Sequence, residues 1–216
     1  MDGVDRSLSM VYLLIGMKRK KVTLPPGRPR AFDAGKALDR AMHVFWRKGY
    51  LGTSLSDLTD AMGINRPSLY AAFGNKESLF RKALKHYLKG PSAYLGEALQ
   101  EPNARAVVER VLHGVVNLLT GPQSPKTCLW VHGALSCGDD PLREEFAAQR
   151  RAGLAGLRHR LQRAIAEGDL PSEADADALA SYVQTVNFGL TVQASTGATR
   201  KELLRTVEIA LKAWPG

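Results

Sequence analysis

At 216 residues, 44% of them hydrophobic, the chain is long enough for one large domain or two small ones and apolar enough for a real core. Its formal charge of +9 is unevenly placed: residues 1–90 hold 17 Lys and Arg against 7 Asp and Glu, while residues 91–216 hold 13 against 14, so the whole basic excess lies N-terminally, as phosphate neutralisation requires. Cys128 and Cys137 are too few for a disulfide framework, which implies a reducing compartment, and the apolar run Met10–Ile15 is too short to cross a bilayer.

The cationic cluster Lys18–Lys21 follows that apolar run instead of preceding it, the reverse of a secretory signal. Met17 reads as the true start, with residues 1–16 an over-called or disordered extension, and a cytoplasmic protein is expected. Residues 18–32 hold three prolines, one glycine and six basic side chains, an extended solvated arm. Within it, Arg28-Pro29-Arg30 can lie in a narrow minor groove.

Asp33 is the cap of a first helix to about Lys48, with Ala37, Leu38, Ala41, Val44 and Phe45 on its buried face and Gly49 as its stop. Two short helices follow, Leu55–Met62 and Arg66–Phe73, joined by a tight turn at Gly63. Two short helices crossing at a glycine-containing turn form a helix-turn-helix unit, which presents its second helix to the DNA major groove. In that second helix Asn65 caps, Pro67 is tolerated in the first turn, and Leu69 and Phe73 point inward. Arg66, Ser68, Tyr70 and Ala71 are left outside. Arg66 can hold a guanine bidentately, and the Ser68 and Tyr70 hydroxyls suit phosphates or base edges. Thr53 and Ser54, at the start of the preceding helix, offer hydroxyls and backbone N–H groups to phosphate. Lys76 opens the next helix, where a cation is unfavourable unless it meets an anion such as a DNA phosphate.

That next helix, opened by Asn75, runs to about Lys89 and stops at Gly90-Pro91. Further helical periodicity covers about Ala104–Leu119, Lys126–Ser136, Pro141–Glu167, Asp175–Ala194 and Thr199–Ala213, the last opened by a capping box. No β alternation of any length interrupts it. The expected fold is all-α, about nine helices: an arm over 1–32, a three-helix helix-turn-helix domain over 33–80, and a helical effector-binding and dimerisation domain over 81–216.

In that last part, Leu179, Tyr182, Val183, Val186 and Leu190 form one apolar stripe and Leu203, Leu204, Val207, Ala210 and Leu211 another. Two such helices from each of two chains can pack as a four-helix bundle, so these residues are the expected dimer interface. His86, Tyr87, His113, Trp130, Phe146, Gln184, Asn187 and Phe188 are the candidates for an internal effector cavity, which needs apolar walls and a few polar anchors. Cys128 and His132, four apart on one helix, can share a face, but no third ligand stands at metal spacing, so no metal and no cofactor are expected.

Thr53-Ser54, Asp57-Leu58, Ala61, Gly63-Ile64, Ser68-Leu69-Tyr70, Phe73 and Asn75-Lys76-Glu77-Ser78-Leu79-Phe80 together resemble the DNA-binding domain of TetR/AcrR-family regulators over residues 33–80. The resemblance implies a dimeric, all-helical repressor with a variable ligand-binding C-terminal domain, and phosphate contacts from Thr53, Tyr70 and Lys76. Ala71 departs from the His that the family often has after that Tyr. The expected function is therefore a repressor released from a palindromic double-stranded operator by a small molecule. A cysteine-based electrophile or redox sensor and a non-specific architectural DNA binder are the alternatives. Glycine-rich phosphate loops, a nucleophile elbow and paired carboxylates are missing from the sequence, so an enzyme is not expected.

Overall fold

The computed structural model describes residues 32–136 and 142–215, and all regular structure among them is α-helical. Side-chain caps set most of the helix starts. In α1 (Ala34–Lys48) the Asp33 carboxylate accepts from the Gly35 and Lys36 N–H groups. Ser54 and Asp57 close a reciprocal capping box on α2 (Leu55–Met62), which ends at Gly63 in the left-handed region, φ 69°. Asn65 caps α3 (Arg66–Phe73) and Asn75 caps α4 (Lys76–Lys89), each through its side-chain oxygen to the third N–H. These residues satisfy N–H groups that a helix start otherwise leaves orphaned.

Behind them lie α5 (Tyr94–Ala98), α6 (Ala104–Thr120), α7 (Leu129–Ser136), α8 (Leu142–Ala166), α9 (Ala176–Ser195) and α10 (Arg200–Lys212). Thr199 and Glu202 make both bonds of the expected capping box on α10. Two boundaries differ from expectation. The short α5 occupies what the Gly90-Pro91 stop predicts as a loop; it has no side-chain cap, and packing holds it instead. Ala98 is fully buried, and the Tyr94 ring lies where a Cβ on Gly114 would stand, 2.2 Å from the nearest ring atom. The seventh helix starts at Leu129 and not at Lys126, because Lys126 sits at φ 58°, outside helical space.

Two apolar clusters organise the chain. One gathers Phe45, Trp46, Leu58, Leu69, Phe73, Phe80 and Tyr87 from α1–α4, and it extends beyond residue 80 to Leu129, Leu142 and Phe146. The other gathers α6, the C-terminal half of α8, α9 and α10 around Leu112, Val116, Leu161, Val183 and Val207. The 25-residue α8 therefore belongs to both, its first turns to the head and its last turns to the body.

Most of the stripe residues expected to face a second chain pack within this one. Val183, Leu190, Leu203, Val207 and Leu211 are buried in the chain's own body, and Leu179, Tyr182, Val186 and Leu204 are half-buried against it. An apolar stripe turns to the nearest apolar partner, and α6 supplies that partner within the chain. The large apolar side chains that α9 and α10 leave exposed are Phe188, Val192 and Ile209, which is 68% accessible.

Candidate nucleic-acid interface

The core fixes which face of α3 is outward. Leu69 is fully buried and Phe73 nearly so, which anchors the helix against α2 and α4 and leaves Arg66, Tyr70, Ala71 and Ala72 exposed, with Ser68 half-buried. Tyr70 is 48% accessible, far more than a tyrosine serving only as packing. Arg66 reaches back across the turn, its Nη2 donating to Ser56 Oγ on α2 at 3.1 Å. Lys82 closes the other end of α3: its Nζ lies 3.3 Å from the Ala72 and Phe73 carbonyls and 5.5 Å from the Phe73 ring centre. A cation at these last carbonyls also complements the helix dipole.

Lys76, at the start of α4, stands over the Tyr50 ring, 4.4 Å from its centre. The ring holds the ammonium on the same side of the head as the loop that precedes α2.

The start of α2 is more self-contained than the sequence suggests. Thr53 is buried, only 2% accessible, and its hydroxyl donates to the Gly49 carbonyl at 2.6 Å. The Ser54 N–H and hydroxyl both donate to Asp57 Oδ2, at 2.9 and 2.8 Å. Lys48 completes the arrangement with its Nζ 2.5 Å from Asp57 Oδ1. The hydroxyls and N–H expected to take phosphate are thus already bonded within the head. The reason is local: Asp57 supplies the anion that this helix start favours.

Those contacts act on Asp57 itself. The Lys48 hydrogen bond, then the bonds from Ser54, hold its carboxyl well below the ordinary value of 3.8. Folded Asp57 therefore gives up its proton more readily than in the unfolded chain. Its contribution is complete above about pH 5 and is lost as the pH falls below the unfolded value towards the folded one. Acid titration of the melting temperature between pH 5 and pH 2 is expected to fall more steeply in the wild type than in Asp57→Asn, which melts lower at neutral pH. Parallel slopes for the two proteins would remove Asp57 from the acid response.

The residues proposed for an effector cavity do not converge on one space. Tyr87, Cys128, Trp130 and Phe146 lie in or against the head's apolar cluster. There the Tyr87 hydroxyl donates to Cys128 Sγ at 3.5 Å, and the Trp130 ring meets the Phe146 ring edge-on at 5.2 Å. Burial, then the nearby Cys128, pushes the Tyr87 phenol far above its ordinary value, so it stays a neutral donor. His86 lies apart, its Nε2 3.2 Å from Asp39 Oδ1. His113 is exposed on α6, Phe188 is exposed on α9, and Gln184 and Asn187 are half-buried there. His132 belongs to a separate cleft at the end of α1. Among the described residues no three His, Cys, Asp or Glu side chains stand as a metal set. Arg28, Arg30, the extension over 1–16 and Cys137 lie outside the described residues.

Ser56, Lys82 and Tyr50 were not legible as site residues. Ser56 and Arg66 are ten positions apart, and only the turn at Gly63 brings them together. Tyr50 follows a helix-ending Gly and reads as core, yet it is the platform for Lys76.

Residues 37–83 match the family profile described as bacterial regulatory proteins, tetR family. The chain is 32% identical over 197 residues to the HTH-type transcriptional repressor ComR of Escherichia coli (strain K12), covering 88% of this chain and 92% of that protein. It is 35% identical over 189 residues to the uncharacterised HTH-type regulator YezE of Bacillus subtilis (strain 168), covering 86% and 97%. Among solved structures, a cysteine mutant of the TetR family regulator CifR, complexed with 26-bp double-strand operator DNA, superposes with a TM-score of 0.81 at 46% identity. It covers 87% of this chain and 100% of the other.

Proposed function

We propose that this chain, which belongs to the TetR family of bacterial regulatory proteins, is a homodimeric transcriptional repressor that a small molecule releases from a palindromic operator in the cytoplasm. The observation that carries this reading is the outer face of α3. Its anchors are buried, its polar side chains are exposed, and a lysine is held beside it at the start of α4. Arg66 and Tyr70 are the proposed base-reading and phosphate-binding pair, with Ser68 and Asn65 at the entry of the helix. Ser54 and Thr53 keep the entry of α2 in shape. Arg28 and Arg30 are proposed to follow the adjacent minor groove.

One eight-residue recognition helix reads few base pairs, so two must act together, about 34 Å apart along the duplex. Phe188 on α9 and Ile209 on α10, exposed and apolar, support a second copy docking there, with Gly189 beside Phe188 leaving room for close approach. An effector then needs only to prefer the arrangement whose heads are wrongly spaced, a differential of about 1–3 kcal/mol.

The test is competition binding between DNA from beside the protein's own gene and a scrambled duplex, at two salt concentrations. Specific retention at the higher salt is expected. Lys76→Gln should weaken both duplexes alike and lower the slope of log affinity against log salt by about 1, as loss of one phosphate contact does. No discrimination between the duplexes would identify an architectural binder instead.

A further inference from the structure

The linker before α7 is held to the head by more than apolar contact. Trp46, in the last turn of α1, donates its indole Nε1–H to the Thr127 carbonyl at 2.6 Å, and its own carbonyl lies 3.4 Å from Nδ1 of His132. Thr127 sits in the linker before α7, directly after the left-handed Lys126. The linker and the first turn of α7 are therefore pinned to the helix that carries the head's core residues Phe45 and Trp46.

A cleft of about 320 Å³ opens beside this joint, walled by Arg47, Pro125, Val131, His132, Thr191 and Val192. Its size falls in the range of small-molecule sites, about 300–1,000 Å³. It draws on three places: the end of α1, the linker with α7, and the last turns of α9. The chemistry of the lining is one-sided. Arg47 brings an exposed guanidinium and His132 an imidazole, and no carboxylate lines the cleft. Pro125, Val131 and Val192 give apolar wall. Thr191 already donates its hydroxyl to the Asn187 carbonyl at 3.1 Å, so it offers only an acceptor. The one fixed charge is therefore positive and forked, a shape that matches a carboxylate.

We propose that this cleft binds a small organic carboxylate, the Arg47 guanidinium taking the anionic end and the apolar wall its hydrocarbon part. Occupancy presses on the Thr127–His132 wall, and the two Trp46 bonds pass that displacement to α1. This inference rests on the reading of the chain as an effector-released repressor, and it gives that reading a site and a ligand class.

The test uses the full-length protein with benzoate, phenylacetate and hexanoate as probes and benzamide as the uncharged counterpart. Binding is read by calorimetry, and operator release by fluorescence anisotropy. At least one carboxylate is expected to bind and to weaken the operator complex, with benzamide inert. Arg47→Gln, an exposed position, should keep the wild-type melting temperature and lose carboxylate affinity by about tenfold or more, as loss of a charge-assisted pair does, with Arg47→Lys partly restoring it. No binding by any of the three carboxylates overturns the proposal, as does binding that Arg47→Gln leaves unchanged. If operator is released by a ligand indifferent to Arg47→Gln, the repressor reading stands and the cleft falls. If the protein binds no operator at all, the repressor reading falls first.

Discussion

Phe146→Ala is expected to cost about 3–5 kcal/mol in chemical denaturation and to weaken operator binding although Phe146 is on α8 and not on the recognition helix α3. The ring is 4% accessible and belongs to the head's apolar cluster, yet it is carried by α8, whose other end lies in the body. It meets Trp130 edge-on at 5.2 Å and Phe80 at 6.1 Å. Gly133 on α7 makes the space: a Cβ there would stand 2.3 Å from the end of the Phe146 ring. Truncation leaves a cavity between α4, α7 and α8, and α8 belongs to both clusters, so the loss acts on the joint as well as on the core. Filling the space from the other side, with Gly133→Ala, is expected to destabilise by about 1–3 kcal/mol through overpacking. Urea unfolding with and without operator DNA checks both. A loss under about 1 kcal/mol for Phe146→Ala would mean that the site collapses freely and that the ring is no structural bridge.

Helix positions were legible where a side chain caps the start of a helix. Asp33, Asn65, Asn75 and Thr199 are caps that sequence alone identifies, and each makes its bond. The short α5 was not legible, because nothing in Ala93 signals a start and its stability comes from Tyr94 packing over Gly114, a contact twenty residues away. The start of α7 was missed for the opposite reason. Periodicity runs through Lys126, but its backbone is left-handed, and the next residue gives its carbonyl to Trp46. On α9 and α10, periodicity located the apolar faces correctly but could not say whose apolar surface they meet, and α6 took most of them. The outer face of α3 was readable because Leu69 and Phe73, four apart, set its phase. The inner candidates were not, since an aromatic or histidine on a helix between two clusters has no sequence mark for the one it faces. His132 turned to Trp46 and Tyr87 to Cys128, both across more than forty residues.

Arg66→Ala is expected to lower affinity for operator about 5- to 150-fold, the effect of one lost bidentate base contact of about 1–3 kcal/mol, and to leave scrambled DNA nearly unaffected. Arg66 opens α3, and the first turn of a recognition helix is the part that meets base edges. Its guanidinium is not loose: Nη2 is held by Ser56 Oγ on the neighbouring helix, which limits the directions the fork can take and lowers the entropy lost on binding. Ser56→Ala should therefore have a smaller effect of the same kind, relaxing preference at one position of each half-site while Arg66 itself is present. Lys76→Gln supplies the contrast, because loss of the phosphate contact proposed for it is expected to weaken all sequences alike and to show in the salt slope. Selection from a library randomised across both half-sites separates the two behaviours. Equal loss on operator and random DNA in Arg66→Ala would make Arg66 a phosphate contact, and sequence reading would then rest on Ser68, Tyr70 and the exposed Ala71 methyl.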